Sequence, residues 1–229
     1  KWMGEVSDST AKALEQLRKV AVDTNSDLAT QLGIPRSAAI TCVKPSGTVS
    51  QLVDSASGIH ARHSQYYIRR VRGDKKDPLS AFLTSAGIPA EDCVMRPDST
   101  VVFSFPMKAP EGARLRDDLT AIEHLDVWMM YQRHWCEHKP SVTISVKEDE
   151  WMDVGAWVFR NFDEISGVSF LPWAGGTYRQ APYEECNKEQ YEEMLSKMPK
   201  DIKWDDLVEV EDNVEGAQTL ACVAGHCEI

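Results

Sequence analysis

The stretch ITCVKPSGTVSQLVDSASGIHARHSQYYIRRVRGDKK, Ile40 to Lys76, decides how the rest of the chain is read. It begins with a short apolar run (AAITCVK, from Ala38), which predicts a buried strand. It continues through a loop of small hydroxyl residues and ends in QYYIRRVR, whose alternation predicts a second strand. Its charge is also unusual. From Pro35 to Lys76 there are eight Arg and Lys against two Asp, while the whole chain carries −11, so the remainder holds −17. A local reversal of sign of this kind points to an anion bound nearby.

Outward from this stretch, strands and helices alternate. DSTAKALEQLRKVAVDTNSDLATQ reads as a helix from Asp8, with apolar residues at helical spacing, and Gly33 with Pro35 ends it. PLSAFLTSAGIP reads as a short helix with proline in its first turn. STVVFSFPM reads as a strand, Leu115–His138 as one long helix and PSVTISV as a strand. EDEWMDVGAWVFRNF and SGVSFLPW complete the series as a helix and a strand. This order predicts an α/β fold with largely parallel strands. Residues 1–199 are expected to form the folded part. Residues 200–229, with an acidic excess and few large apolar side chains, are expected to form a flexible tail.

Composition excludes several classes. The 229 residues suffice for a sizeable core, and no apolar run reaches the length of a membrane span. The acidic total argues against binding a nucleic-acid polymer. Four of the six cysteines (Cys42, Cys93, Cys136, Cys186) have no ligand-like spacing, which fits a reducing cytoplasm. The chain opens on Lys1 almost directly into a helix, and it reads as a piece of something longer.

Two groups of residues carry candidate chemistry. In KPSGTVS, the hydroxyls of Ser46, Thr48 and Ser50 surround Gly47, with Lys44 just before and a helix expected from about Gln51. Hydroxyl donors, exposed amides and a glycine that admits close approach suit a phosphate. An ordinary strand-to-helix turn has the same composition, and the neighbouring cations favour the anion site. On the following strand, alternation sends Arg70 and Arg72 to one face and Arg69 to the other, so the three are not expected to share a ligand. His60 and His63 read as structural rather than metal-binding, for want of a third ligand at sensible spacing. His134 and His138, although four apart on a helix, read as structural because they border its end, where His favours the dipole.

The second group is CVAGHC, with Cys222 and Cys227 at the C-terminal end. A disulfide there would close a loop with no core, and zinc would lack ligands. A redox-active dithiol on an arm is the remaining chemistry, and an idle pair is the alternative. An arm of roughly 20 residues reaches at most about 60–70 Å and averages roughly 25 Å when relaxed.

Taken together, ITCVKPSGTVS, SGIHARHSQYYIRRVR, HKPSVTISV, SGVSFLPWAGGTYRQAPYEEC and the terminal CVAGHC resemble adenosylcobalamin-dependent (class II) ribonucleotide reductases, and among them the monomeric ribonucleoside-triphosphate reductases. The resemblance runs from about Ala38 to the last residue and corresponds to the family's C-terminal portion. It implies the C-terminal part of a ten-stranded α/β barrel, adenosylcobalamin as cofactor, a ribonucleoside triphosphate as substrate and a thioredoxin-like reductant. It also implies that Ser46, Gly47, Thr48, Val49 and Ser50 hold the substrate's phosphates, and that Cys222 and Cys227 re-reduce the active site after each turnover. The family's N-P-C-x-E loop, with its radical cysteine and acid/base glutamate, does not occur in this sequence. A missing N-terminal part is therefore implied as partner, and the chain alone is expected to be inactive. A non-catalytic phosphate-binding module and a reductase of another class sharing the barrel are the competing readings.

Overall fold

A computed structural model describes residues 6–46, 49–173 and 179–208. In chain order its elements are α1 (Asp8–Leu32), α2 (Val49–Leu52), β1 (Tyr66–Asp74), α3 (Pro78–Ser85), β2 (Ala90–Asp92), β3 (Thr100–Lys108), α4 (Ala121–His134), β4 (Thr143–Val146), α5 (Trp151–Arg160), β5 (Ser169–Pro172), β6 (Tyr183–Glu185) and α6 (Lys188–Lys197), with short 3-10 turns between some of them. They divide into two units, one from residues up to 62 with 110–174, the other from 63–109 with residues after 175.

In the first unit, α1 starts at Ser7, whose hydroxyl accepts the Thr10 N–H, and stops at Gly33, which takes the left-handed conformation (φ 66°). The long helix expected over Leu115–His138 is broken at Thr120. A 3-10 turn occupies Arg116–Asp118, and α4 begins only where Thr120 and Glu123 form a reciprocal capping box. The chain leaves α4 at Trp135 and turns back, so that the Glu137 N–H donates to Thr41 O at 2.8 Å.

One face of α4 forms the core of this unit. Leu125 and Trp128 are fully buried and pack with Met129 against Ile144 and Val146 of β4 and against Val154 and Trp157 of α5. The indole N–H groups inside this core have acceptors: Trp128 donates to Pro140 O (3.1 Å) and Trp157 to Asp126 (2.9 Å). β4 and β5 pair in parallel, with Thr143 opposite Ser169. The strand expected over AAITCVK does not form. Residues 39–46 lie outside any ladder, and the bonds of Ile40, Thr41, Cys42 and Val43 run instead to side chains and backbone just beyond α4.

The second unit holds a four-stranded sheet in the order β2-β3-β1-β6, antiparallel at every pairing. The expectation of largely parallel strands is therefore corrected for this sheet. It rested on helices alternating with strands along the chain, but β2 to β3 and β3 to β1 are joined as antiparallel neighbours, and among the described strands only β4 and β5 are parallel. Phe103 and Val101 of β3 and Ile88 form its small core, and Met198 and Ile202 pack against it. Trp204, within the expected tail, lies 5.5 Å from Phe82 between ring centroids. Neither sheet closes on itself among the described residues, so the fold seen is mixed α and β with open sheets.

Ile144→Val should lower the free energy of urea unfolding by about 0.5–1.5 kcal/mol, because Ile144 is fully buried. Leu171→Val on β5, where the side chain is 51% exposed, should change it by less than about 0.5 kcal/mol. Equal effects would contradict the placement of this core.

Candidate functional site

The hydroxyl loop lies in the first unit, and the segment that follows folds back over its start. Ser57 Oγ accepts both the Ser46 N–H (3.2 Å) and the Ser46 hydroxyl (3.0 Å). Gly58 makes this possible: its φ is +55°, and a Cβ there would stand 3.1 Å from Val43 Cγ1 and 3.6 Å from Lys44 O. The Val49 N–H donates to Ser46 O at 3.0 Å, which closes a tight turn and starts the single turn of α2, two residues earlier than expected. Gly47 and Thr48 lie outside the described residues, as do Cys222 and Cys227.

The remaining loop residues differ in environment. Val49 is 66% exposed. Ser50 is buried, and its hydroxyl has no hydrogen-bond partner among the described residues. A buried hydroxyl without a partner costs about 1–3 kcal/mol.

Two histidines fix the loop to the core. His60 Nδ1 donates to Ser57 O at 2.7 Å, and its Nε2 accepts the Thr143 N–H of β4 at 2.9 Å. Since an amide N–H can only donate, the ring must be neutral with its proton on Nδ1. Burial lowers its pKa, although the bond to Ser57 opposes this. His124 of α4 donates through Nε2 to Ile59 O at 3.1 Å, and burial brings its pKa down to about 4. The rings stand edge to face, 6.1 Å apart. Downstream, Asp54 takes a positive φ of 52° and accepts from Arg62 at 2.8 Å, an ion pair whose guanidinium is buried and whose carboxylate is exposed.

Behind this loop is a cavity of about 400 Å³. It is lined by Asp54, Gly58, His60 and Arg62 on one side and by Glu111, Arg114 and Tyr131 among those on the other. Ser46 and Ser50 are not among its lining residues. The cavity has the size of a small-molecule site.

The cations that drew attention to the loop are employed elsewhere. In the second unit, Arg69 donates to Pro182 O (3.2 Å) and lies 4.3 Å over the ring of Tyr183. Arg70 donates to Ala181 O (3.2 Å) and to Glu184 (2.5 Å), and Arg72 donates to Gln180 O (3.0 Å). The three have separate partners, as alternation led one to expect, although all of these lie in one segment, the one that leads into β6. Lys75 pairs with Asp92 at 2.5 Å. Among the cations of the stretch, Lys44 stands next to the hydroxyl loop, with its Nζ 3.4 Å from His138 Nδ1. His134 pairs with Glu15 at 2.8 Å, and His63 stacks on Tyr183.

Comparison with known proteins gives the lineage. No family model matches the chain. The adenosylcobalamin-dependent ribonucleoside-triphosphate reductase of Euglena gracilis is 34% identical over 198 residues, 86% of this chain and 27% of that protein. The protein of the same name from Lactobacillus leichmannii is 31% identical over 223 residues, 90% of this chain and 30% of that protein. A crystal structure of a B-12 dependent (class II) ribonucleotide reductase superposes with a TM-score of 0.73 at 28% identity, over 86% of this chain and 28% of that one. The chain is homologous to a segment of the class II ribonucleotide reductases. It spans less than a third of the length of these relatives.

Sequence reading found the hydroxyl loop and took His60 as structural, but missed the partners through which His60 and Ser57 hold the loop. Ser57, His60, His124 and Thr143 are ordinary residues in the sequence, brought together only by the fold.

A pH dependence follows. The unfolded chain protonates His124 near pH 6.5, whereas the folded protein resists protonation until about 4. Stability present at pH 7 is thus lost as pH falls through that window. Between pH 7 and pH 5 the loss from His124 should be about 2 kcal/mol, and His60 acts in the same direction. Urea unfolding at the two pH values should show the drop, and His124→Gln should reduce it. A drop of the same size in that variant would contradict the buried neutral ring.

Proposed function

We propose that this chain acts as a segment of an adenosylcobalamin-dependent reductase that converts ribonucleoside triphosphates to deoxyribonucleotides. In this reading Ser46, Gly47, Thr48, Val49 and Ser50 receive the substrate's phosphates. Cys222 and Cys227 carry reducing equivalents from a thioredoxin-like protein to the active site. The remainder of a longer or multi-chain protein, an N-terminal part, supplies the radical cysteine and the cofactor site. The support is homology over 86–95% of the chain to proteins named for this activity.

The loop's own chemistry supports the phosphate role. Lys44 supplies charge at the entry to the turn, and the buried Ser50 hydroxyl has no hydrogen-bond partner among the described residues. Adenosylcobalamin does not fit the cavity of about 400 Å³, because a corrinoid with its nucleotide tail and adenosyl group is several times larger. What this chain's residues would do is bind and orient the phosphates and deliver two electrons as thiols.

The test uses a protein that completes this segment to the length of its relatives. Ser50→Ala should leave folding stability unchanged or raised, since it removes an unpaired buried hydroxyl, and should raise KM for the triphosphate on the order of tenfold. Cys222→Ser with Cys227→Ser should abolish thioredoxin-driven turnover while a small dithiol still supports it. Unchanged KM in the first variant would remove the phosphate role, and unchanged thioredoxin-driven turnover in the second would remove the shuttle.

A further inference from the structure

Cys42 and Cys136 have no spacing in common, yet the fold sets them side by side in the first unit. Segment 40–43 is laid along the exit of α4. Thr41 donates through Oγ1 to Trp135 O at 2.5 Å and accepts the Glu137 N–H at 2.8 Å, so the residues on both sides of Cys136 are bonded to it. The Glu137 carboxylate accepts the N–H groups of Ile40 (2.9 Å) and Thr41 (3.3 Å). Trp135 Nε1 donates to Cys42 O at 3.1 Å, and the Ser141 N–H donates to Val43 O at 2.9 Å. The Val43 amide, joined directly to the carbonyl carbon of Cys42, and the Cys42 thiol both act on the titration of the Cys136 thiol. The bonds from Thr41, Cys42 O and Val43 O to residues 135, 137 and 141 therefore lay the backbone at Cys42 along the backbone at Cys136. Such an approach suits a disulfide, whose Cα atoms are about 4.4–6.8 Å apart.

We propose that Cys42 and Cys136, both free thiols in this structure, are a modification site that closes to a disulfide on exposure to a small-molecule disulfide such as oxidised glutathione. The surroundings divide the roles. Cys42 is half-buried and can be reached from solvent. Cys136 is buried, and burial, with a smaller contribution from the neighbouring Cys42, pushes its thiol up to about 11. Cys42 attacks first, as thiolate. Its sulfur bonds to one sulfur of the oxidant, the oxidant's S–S bond breaks, and one small thiolate leaves and takes a proton. Cys136 then loses its proton and attacks the Cys42 sulfur, and the mixed disulfide breaks to release the second small thiol. The two cysteines lose two electrons, and one disulfide becomes two thiols.

The bond would fix residues 40–44 to the end of α4, four residues before Ser46. It is distinct from the terminal pair Cys222 and Cys227, and it stands whatever the hydroxyl loop binds.

The experiment uses the full chain with Cys222→Ser and Cys227→Ser, so that terminal thiols cannot mediate exchange. The native protein is incubated with oxidised glutathione, its remaining thiols are alkylated, and it is digested with trypsin without reduction. Trypsin leaves Lys44–Pro45 and Lys139–Pro140 intact, so the expected product is the peptide Ser37–Arg62 joined to His134–Lys147. Oxidation should also raise the thermal midpoint of this protein, and not of one carrying Cys42→Ser in addition. Recovery of Cys136 as the alkylated thiol, with Cys42 alkylated or left as its glutathione adduct, would overturn the proposal. So would an equal rise in midpoint with Cys42→Ser.

Discussion

The arrangement of the hydroxyl loop depends on one imidazole. His60 is held between Ser57 O and the Thr143 N–H, and these two bonds tie a surface segment to the first residue of β4. Ser57 in turn holds Ser46 by its amide and its hydroxyl. The chain of bonds runs from core strand to histidine to serine to loop, and each link needs the one before it. A charged ring could not accept from Thr143, so burial and neutrality are requirements of the loop's position. His124 adds a second tether from α4 through Ile59 O.

The two units solve their charge problems differently. In the first, the buried polar groups are mostly neutral, with Arg62 as the buried cation and Asp54 beside it. In the second, three arginines of β1 converge on residues 180–184. There they satisfy backbone carbonyls that a three-residue edge strand leaves open. Arg69 and Tyr183 face each other across the strand pair, which lends the short β6 a cation–π contact. The local positive charge is thus largely structural. A phosphate at the loop would rely on hydroxyls, amides and Lys44 rather than on an arginine cluster.

Much of the fold was legible in the sequence where side chains carry their own periodicity. The helices from Asp8 and Pro78 and the strands QYYIRRVR and STVVFSFPM formed close to where they were expected. What failed did so for identifiable reasons. AAITCVK has a strand's composition, but it finds carboxylate and turn partners beyond α4 in place of a neighbouring strand. The helix from Leu115 was read through Thr120 because apolar spacing continued, although Thr120 and Glu123 spelled a capping box. α6 carried the same kind of signal in Asn187 and Gln190 and was overlooked, and β2 and β6 are three residues each, too short for alternation to register. Of the candidate site, the hydroxyl loop was visible as a motif. Its supports were not, because Ser57, His60, Thr143 and His124 meet only after the core has formed.

The protonation state of His60 is the most direct test of this arrangement. Long-range ¹H–¹⁵N correlation spectra of the chain with labelled histidine, recorded at neutral pH, report which ring nitrogen carries the proton. A neutral ring with its proton on Nδ1 is predicted. A proton on Nε2, or an imidazolium at that pH, would contradict the bond from Thr143 and with it the tether that positions the loop.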